Sequence, residues 1–313
     1  MSVFLVTGGA GFIGSHLVRK LIAQGHRVRV LDNLSTGRLQ NLDGLDGRFE
    51  FFRGDAADPD QVDKAIIGTE GVFHLAAIPS VSVSIEKPLH NQQSGEVATL
   101  VVLDLARRHG LKRVIYSSSC AVYGNHAAKS ANEEASVQPL TFYALSKLTS
   151  EGYCRIFSRL YPELQTVCLR YFNVFGAGQN PSSSYAGVIS IFLRCLREKA
   201  APTIYGDGRQ TRDFIDVSDI VGANIAAMNS RTSFHGECFN VGTGTSISVL
   251  ELWKYLAHLA QSDLQPTFAP ARVGDIQMSF ADITKIQRVL NFSPKISWQE
   301  SLRRLWNSVS DKE

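Results

Sequence analysis

The sequence predicts an α/β protein: a doubly wound parallel sheet joined to a smaller α/β lobe. Three observations point there. Short β-branched runs alternate with longer helical patterns through the first half of the 313 residues. The first of these runs passes directly into a glycine-rich turn that opens a helix. The alternation then breaks down after Phe172, where a polar loop begins a less regular region. Strand–helix–strand alternation calls for right-handed crossovers, which produce a parallel sheet covered by helices on both faces.

Taken in order, residues 3–6 form the first strand and residues 12–23 a helix with Leu17, Leu21 and Ile22 on one side. Strands follow at 27–31, 50–52, 72–75 and 113–116, with a helix over 97–108 between the last two. Residues 143–160 read as a further helix and 166–171 as a further strand. The stretch Gly-Ala-Gly-Gln-Asn-Pro-Ser-Ser-Ser at 176–184 has the composition of a loop. Beyond it a helix is expected near 188–198, strands near 203–205 and 213–217, and helices over 249–260, 283–290 and 298–309. The chain thus divides into a regularly alternating domain over 1–172 and a less regular lobe over 173–313. A return to the first domain is expected near 217–228.

Composition narrows the class of function. Hydrophobic residues make up 44% and charged residues 19%, and 32 basic residues nearly balance 29 acidic ones. Such a balance argues against nucleic acid and against an anionic membrane surface as partners. An acidic ligand must therefore be held by a few placed arginines. The five cysteines are odd in number and contain no CxxC pair, which reads as free thiols in a reducing compartment. The eight histidines include no HExxH pair, so no metal is expected. The N-terminus reads as a strand and not as a signal peptide, and no stretch approaches the ~20 apolar residues of a membrane span. The expectation is a cytoplasmic protein.

The strongest local signal is Thr7-Gly8-Gly9-Ala10-Gly11-Phe12-Ile13-Gly14, between the first strand and the first helix. Glycines allow a tight turn and close approach of backbone to a pyrophosphate, whose charge then meets the helix N-terminus. Both GxGxxG, on Gly9, Gly11 and Gly14, and GxxGxxG, on Gly8, Gly11 and Gly14, are satisfied. Asp32 ends the second strand about 20 residues on, where an acid binds the adenosine ribose hydroxyls. This is a Rossmann-type dinucleotide site. The charge of Asp32 would repel a 2′-phosphate, so the reading is NAD over NADP, with Arg38 solvated or facing the pyrophosphate.

Tyr143-Ala-Leu-Ser-Lys147 is the second signal. On a helix the two side chains lie one turn apart on one face. A tyrosine hydroxyl, with a free pKa of about 10, is a poor base. A nearby ammonium and a nicotinamide cation both favour its phenolate, so the pair suits general acid–base work beside NAD. The third signal is Ser117-Ser118-Ser119-Cys120-Ala121-Val122-Tyr123-Gly124, at the carboxyl end of a parallel strand. Ligands gather at such ends, and a hydroxyl there can bond a reacting sugar oxygen.

Together these motifs resemble the extended short-chain dehydrogenase/reductase family, in its NAD-dependent epimerase/dehydratase branch. The likeness runs over nearly the whole chain. It takes in the Asp32-Asn33-Leu34 turn, Gly54-Asp55, His74-Leu75-Ala76-Ala77, Arg170-Tyr171-Phe172-Asn173, Arg212-Asp213-Phe214 and Arg272-Val273-Gly274-Asp275. The resemblance implies that Gly8, Gly11, Phe12, Ile13, Gly14, Asp32, Asn33, Ser35, Thr36 and Gly37 hold NAD from one side. Asp55 and Ala56 would meet the adenine. Leu75, Ala76, Ala77, Ser94, Ser117, Tyr143, Lys147 and Tyr171 would complete the cofactor site. Ser119 would bind the sugar 4-hydroxyl, Asn173 the sugar nucleotide, and Arg212 and Arg272 its diphosphate, a task suited to planar cations. Ser80, Val81, Val188, Asp275 and Ser279 would complete the substrate contacts. A homodimer pairing residues 97–108 and 143–160 with their symmetry mates is likewise implied.

Departures from the family pattern sharpen the reading. Dehydratases of this branch carry an acidic pair before the Val-Tyr-Gly triplet and decarboxylases a Glu, whereas this chain has Cys120 and Ala121. That leaves epimerisation. Phe142 replaces a frequent proline, and Ser94 stands where many members have Asn. Pro79 and Ser80 occupy the place of a lysine found in some hexose-only enzymes. Where a Tyr limits room at the sugar 2-substituent in some members, this chain has the small Ser279. Within the branch the chain looks most like the 4-epimerases of UDP-N-acetylglucosamine and UDP-glucose. The expected activity is 4-epimerisation of a UDP-sugar with NAD bound tightly and regenerated each turn. The alternatives are a UDP-glucuronate 4-epimerase, a reductase or dehydratase, and a non-catalytic NAD-binding regulator. The intact Ser119, Tyr143 and Lys147 disfavour the regulator, and Asp32 disfavours an NADPH reductase.

Overall fold

The computed structural model describes residues 1–125, 131–179, 187–271 and 277–310. The apolar run β1 (Val3–Thr7) enters the glycine turn and continues as helix α1 (Phe12–Ala23), which buries Leu17, Val18 and Leu21 against the sheet. β2 (Arg27–Asp32), β3 (Phe49–Arg53), α2 (Pro59–Ile66) and β4 (Gly71–His74) follow. α2 was not anticipated. It begins on Pro59 and is capped by Asp58, whose carboxylate accepts from the amides of Asp60 and Gln61, a local start signal that the sequence carries openly.

The helix expected over 97–108 has a longer lead-in. Short helices α3 (Val81–Glu86) and α4 (Pro88–Gln92) run into a π-helical turn, Gln93–Val97, and only then into α5 (Ala98–Arg108). Next come β5 (Arg113–Ser119), α6 (Phe142–Leu160) and β6 (Gln165–Tyr171). β5 reaches farther than expected and carries the three serines as its last residues. The chain then passes through β7 (Asn173–Phe175), α7 (Val188–Arg197), β8 (Thr203–Tyr205), β9 (Thr211–Arg212) and β10 (Phe214–Asp216). α8 (Val217–Asn229), β11 (Glu237–Val241), β12 (Ile247–Ser248), α9 (Val249–Leu259), β13 (Thr267–Ala269), α10 (Thr284–Leu290) and α11 (Trp298–Ser310) complete it.

Seven strands form one parallel sheet in the order β11-β6-β5-β4-β1-β2-β3. This is the doubly wound sheet the sequence predicts. Strand order reverses between β1 and β4, where Thr7 lies beside His74. Reversal leaves a crevice at the carboxyl ends of those strands. One apolar cluster, with Leu17, Phe73, Ile115, Ile220 and Phe239, covers one face. A second, with Leu5, Val72, Val102, Leu103 and Tyr116, covers the other. A third cluster lies apart: α7, α9 and α11 pack Phe192, Trp253, Leu252 and Leu302 together, with the Phe192 and Trp253 rings edge-on at 5.2 Å. Two-stranded pairings β7–β10, β8–β13 and β9–β12 frame this lobe.

Asp213, between β9 and β10, ties the lobe to the sheet. Its carboxylate is fully buried and accepts from Thr243 N, Thr243 Oγ1, Gly244 N and Ala281 N. Burial pushes that carboxyl above its ordinary pKa, and the four donors oppose the shift.

Candidate active site

Two adjoining cavities occupy the crevice. The first, of about 440 Å³, is lined by the glycine turn, the ends of β2, β4 and β5, and the start of α6. The second, of about 460 Å³, lies between β7, α7, β8 and β9. Val174 and Gln179 line both, so the two communicate.

The glycine turn is shaped by contact as well as by dihedral freedom. Gly8 has φ +69°, and a Cβ there would sit 2.8 Å from Ala76 N. A Cβ on Gly14 would lie 2.1 Å from the Gly8 carbonyl. Gly8, Gly11 and Gly14 line the first cavity, while Gly9 packs on Val30 instead. The wider GxxGxxG reading is therefore the one that faces the cavity. No side chain caps α1 and no acid stands in its first turn, which leaves its N-terminus available to an anion. Asp32, 7% exposed, accepts from Ala10 N and Leu34 N. Burial raises its pKa while those backbone bonds lower it. Gly37 does not line the cavity, but its Cβ would meet both Asp32 oxygens at 2.9 Å, so it makes room for that carboxylate. Asn33 donates to Asp55, which also accepts from Ala57 N. Phe12, Ile13, Asn33, Ser35, Thr36, Asp55, Ala56, Leu75, Ala76, Ala77, Ser94, Ser117 and Tyr171 all line the first cavity. The bare helix N-terminus, the glycine cradle and the buried acid fit a dinucleotide.

His74 anchors the reversal point. Its Nδ1 hydrogen-bonds Thr7 Oγ1 at 2.7 Å and its Nε2 hydrogen-bonds Thr99 Oγ1 at 3.2 Å. Burial, aided by the Lys147 charge, depresses its pKa to about 3, so the ring is neutral. Thr99 Oγ1 in turn donates to Gly95 O inside the π-helical turn that carries Ser94.

Tyr143 and Lys147 stand one turn apart on α6, as the spacing requires. Lys147, 5% exposed, donates to the Ser117 carbonyl at 2.6 Å, and its Nζ lies 5.0 Å from the Tyr116 ring and 5.9 Å from the Tyr143 ring. Burial depresses Lys147 to about 8, against the pull of Glu151. Burial raises Tyr143 to about 12, with the nearby Ser119 hydroxyl opposing the shift. The chain alone thus holds a neutral phenol, and a cationic ring beside it is what would favour the phenolate. Ser119 also accepts from Ala121 N, fixing the turn after β5.

The substrate residues divide. Asn173, Val188 and Arg212 line the second cavity, and Asn173 Nδ2 donates to the Asp213 carbonyl. Ser279 lines neither cavity. It is buried, and its amide donates to Thr211 O. Ser80 and Val81 line neither of these two cavities. Ser80 Oγ caps α3 by accepting from Val83 N, and Val81 is exposed. Their neighbours Ile78 and Pro79 line the first cavity instead. Arg272 and Asp275 lie outside the described residues. Sequence reasoning missed Phe172, Val174, Gln179, Gln210 and the 203–205 strand as lining. The pattern Arg-Tyr-Phe-Asn at 170–173 was the signal available for Phe172 and Val174. Among the described residues no group of three or more His, Cys, Asp and Glu could hold a metal ion. No helix among them is long and apolar enough to cross a membrane.

Known proteins agree with this geometry. The model of the NAD dependent epimerase/dehydratase family matches residues 4–242. A UDP-glucose 4-epimerase of Mycolicibacterium smegmatis is 37% identical over 304 residues, 96% of either chain. A solved UDP-N-acetylglucosamine 4-epimerase of Methanobrevibacter ruminantium M1, in complex with UDP-N-acetylmuramic acid, superposes with a TM-score of 0.94 at 36% identity, covering 100% of this chain and 99% of that one. The UDP-glucose 4-epimerase of Thermus thermophilus, in complex with NAD, gives a TM-score of 0.89 at 33% identity over 99% and 100% of the two chains. The chain therefore belongs to the NAD dependent epimerase/dehydratase family, as an isomerase that uses NAD to epimerise a UDP-sugar at C4.

Proposed function

We propose that the chain interconverts UDP-N-acetylglucosamine and UDP-N-acetylgalactosamine, with UDP-glucose and UDP-galactose as a second substrate pair. One observation carries this choice. The buried, small Ser279 stands at the position where, in some members of the family it resembles, a Tyr limits room at the sugar 2-substituent. The similarity to the archaeal UDP-N-acetylglucosamine 4-epimerase supports it.

The roles follow from position. Tyr143 takes the 4-hydroxyl proton, Ser119 orients that oxygen, and Lys147 supplies positive charge near the phenolate. NAD held by the glycine turn and Asp32 would supply the hydride acceptor and donor for C4. The 4-keto sugar turns within the site between loss and return of that hydride, so the sugar must be held loosely and the nucleotide firmly. Arg212 and Arg272 grip the diphosphate, Asn173 and Val188 lie along the nucleotide, and Asp275 follows Arg272 by three residues.

Residues 1–172 serve as the NAD domain and 173–313 mainly as the substrate lobe. α8 packs on α1 and β11 extends the main sheet, which supports a return of the chain to the first domain. A homodimer through α5 and α6 completes the reading, and the five free thiols suit the cytoplasm. The test is incubation of the purified protein with a panel of UDP-sugars and separation of the products. Formation of UDP-N-acetylgalactosamine from UDP-N-acetylglucosamine is expected. Turnover confined to UDP-glucose or to UDP-glucuronate would overturn the choice of sugar.

A further inference from the structure

Behind the reacting residues lies a buried polar chain that the epimerisation chemistry does not itself use. Glu151 stands one helical turn past Lys147 on α6, so Tyr143, Lys147 and Glu151 share a face. It is 1% exposed. Its carboxylate takes a bidentate bond from Arg170 on β6, Nε to Oε1 at 2.8 Å and Nη2 to Oε2 at 2.7 Å. Ser118 Oγ donates to the same Oε1 at 2.6 Å. Arg170 Nη1 donates to the Tyr123 hydroxyl at 2.9 Å, and that hydroxyl donates to Asn240 Oδ1 at 2.7 Å. Asn240 Nδ2 ends the chain on the Ala131 and Asp282 carbonyls.

Stability alone does not account for the ion pair. A buried pair replaced by well-packed apolar side chains is often no less stable, because desolvation offsets the attraction. What an apolar pair cannot do is hold a hydroxyl. Side chains alternate along a strand, so Ser118 points away from the side shared by Ser117 and Ser119. Ser117 is held by Lys147 through its carbonyl and Ser118 by Glu151, while Ser119 lines the same cavity as Tyr143. Ser118 and Arg170 are also direct partners in the β5–β6 register. The strand end is thus fixed from behind at the residue between the two that face the reaction.

We propose that the buried Glu151–Arg170 ion pair is a positioning element of the epimerisation, gripping β5 through Ser118 so that Ser119 and the Lys147 ammonium keep their places beside Tyr143. The pair touches no substrate atom. It rests on UDP-sugar 4-epimerisation and not on which sugar is used. Among the described residues Glu151 is also the one carboxylate acting on Lys147, whose other titratable neighbours are Tyr143 on α6, Tyr116 on β5 and neutral His74 on β4.

The test uses the NAD-bound enzyme and whichever of UDP-glucose, UDP-N-acetylglucosamine and UDP-glucuronate the wild type turns over fastest. A wrong choice of sugar therefore shows in the wild type alone. Ser118→Ala keeps the ion pair and cuts its link to β5. Its kcat is expected to fall roughly 10- to 100-fold, the scale of a displaced reacting group, with KM for the sugar nucleotide little changed. Ser118→Thr restores the hydroxyl and should restore kcat. Glu151→Gln removes the counter-charge, so Lys147 loses its proton more readily and the alkaline limb of the kcat profile moves to lower pH. Wild-type kcat in Ser118→Ala, or equal loss in Ser118→Ala and Ser118→Thr, would overturn the proposal. So would a folded Glu151→Gln with an unmoved alkaline limb. Should Glu151→Gln not fold, the Ser118 pair decides.

Discussion

Chemistry here is decided by single atoms placed by burial. Tyr143 without a cofactor is held as a neutral phenol near pKa 12, and Lys147 is held near 8. Neither side chain alone gives a base at neutral pH; in the proposed mechanism a cationic neighbour and Ser119 together would favour the phenolate. Tyr143→Phe removes the hydroxyl and keeps the ring. Its kcat should fall by ~10²–10⁴, the usual range for a general acid–base group, while NAD content and thermal melting stay at wild-type values. Near-normal turnover would move the base elsewhere. The proposed choice of sugar is tested at Ser279. Since that side chain is buried, Ser279→Tyr must push into the neighbouring space. Overpacking of this kind costs ~1–3 kcal/mol, or roughly a tenfold to hundredfold loss in kcat/KM for the N-acetylated sugar. UDP-glucose should be affected much less, because a hydroxyl leaves room for the ring. Equal losses on both sugars would show that Ser279 does not border the 2-substituent. That Ser119, Tyr143 and Lys147 would come together at one cavity was legible in the sequence, because each sits in a motif with fixed spacing. Glu151 and Arg170 were not assigned a role, since an acid on a helix and a basic residue on a strand pair only after the fold brings them together.

At the scale of elements, the glycine turn is the feature most constrained by its surroundings. Gly14 sits where a Cβ would overlap the Gly8 carbonyl at 2.1 Å and the Gly9 Cα at 2.8 Å. Both are backbone, so no flexible side chain can move aside. Gly14→Ala must therefore separate α1 from the turn, and the pocket for a pyrophosphate opens with it. NAD recovered per chain after denaturation should drop at least about tenfold, with a loss of stability of ~1–3 kcal/mol. In the wild type the recovered nucleotide should be NAD and not NADP, given the buried acid at Asp32. Full NAD content in Gly14→Ala would refute the role given to the turn. This turn was legible because its glycines, its strand and its helix are contiguous. α8 was not, because the helix is buried on several sides and shows no polar–apolar stripe. β11 was missed for a related reason: its five residues, Glu-Cys-Phe-Asn-Val, alternate too briefly to stand out. The π-helical turn at Gln93–Val97 has no sequence signature; a Cβ on its Gly95 would meet Ser146 Oγ at 3.1 Å.

For the molecule as a whole, α6 turns two faces in opposite directions. Tyr143, Lys147 and Glu151 face inward, while Leu145, Thr149, Gly152 and Ile156, spaced by four, three and four residues, form a stripe on the outside. Leu145 is 47% and Ile156 53% exposed, and a Cβ on Gly152 would meet nothing within 4 Å. A mid-helix glycine costs about 1 kcal/mol relative to alanine, and no close packing against Gly152 within the described chain offsets it. A second copy of the chain packing on the stripe would. Paired about a two-fold axis, such helices meet the same stripe on their partner, and the missing side chain lets the backbones approach. Gly152→Leu then has opposite effects in the two cases. In a monomer the leucine finds open space and raises helix propensity by up to about 1 kcal/mol, so melting temperature should rise. In a dimer joined here, each substitution enters the interface twice and drives the chains apart. Sedimentation velocity at micromolar concentration should show two chains per particle for the wild type and one for Gly152→Leu. The catalytic face of the same helix is untouched by the change, so any loss of kcat would report that pairing across the outer stripe steadies Tyr143 and Lys147 on the inner one. A wild type that sediments as one chain, or a Gly152→Leu variant that stays paired and melts higher, would remove α6 from the dimer contact.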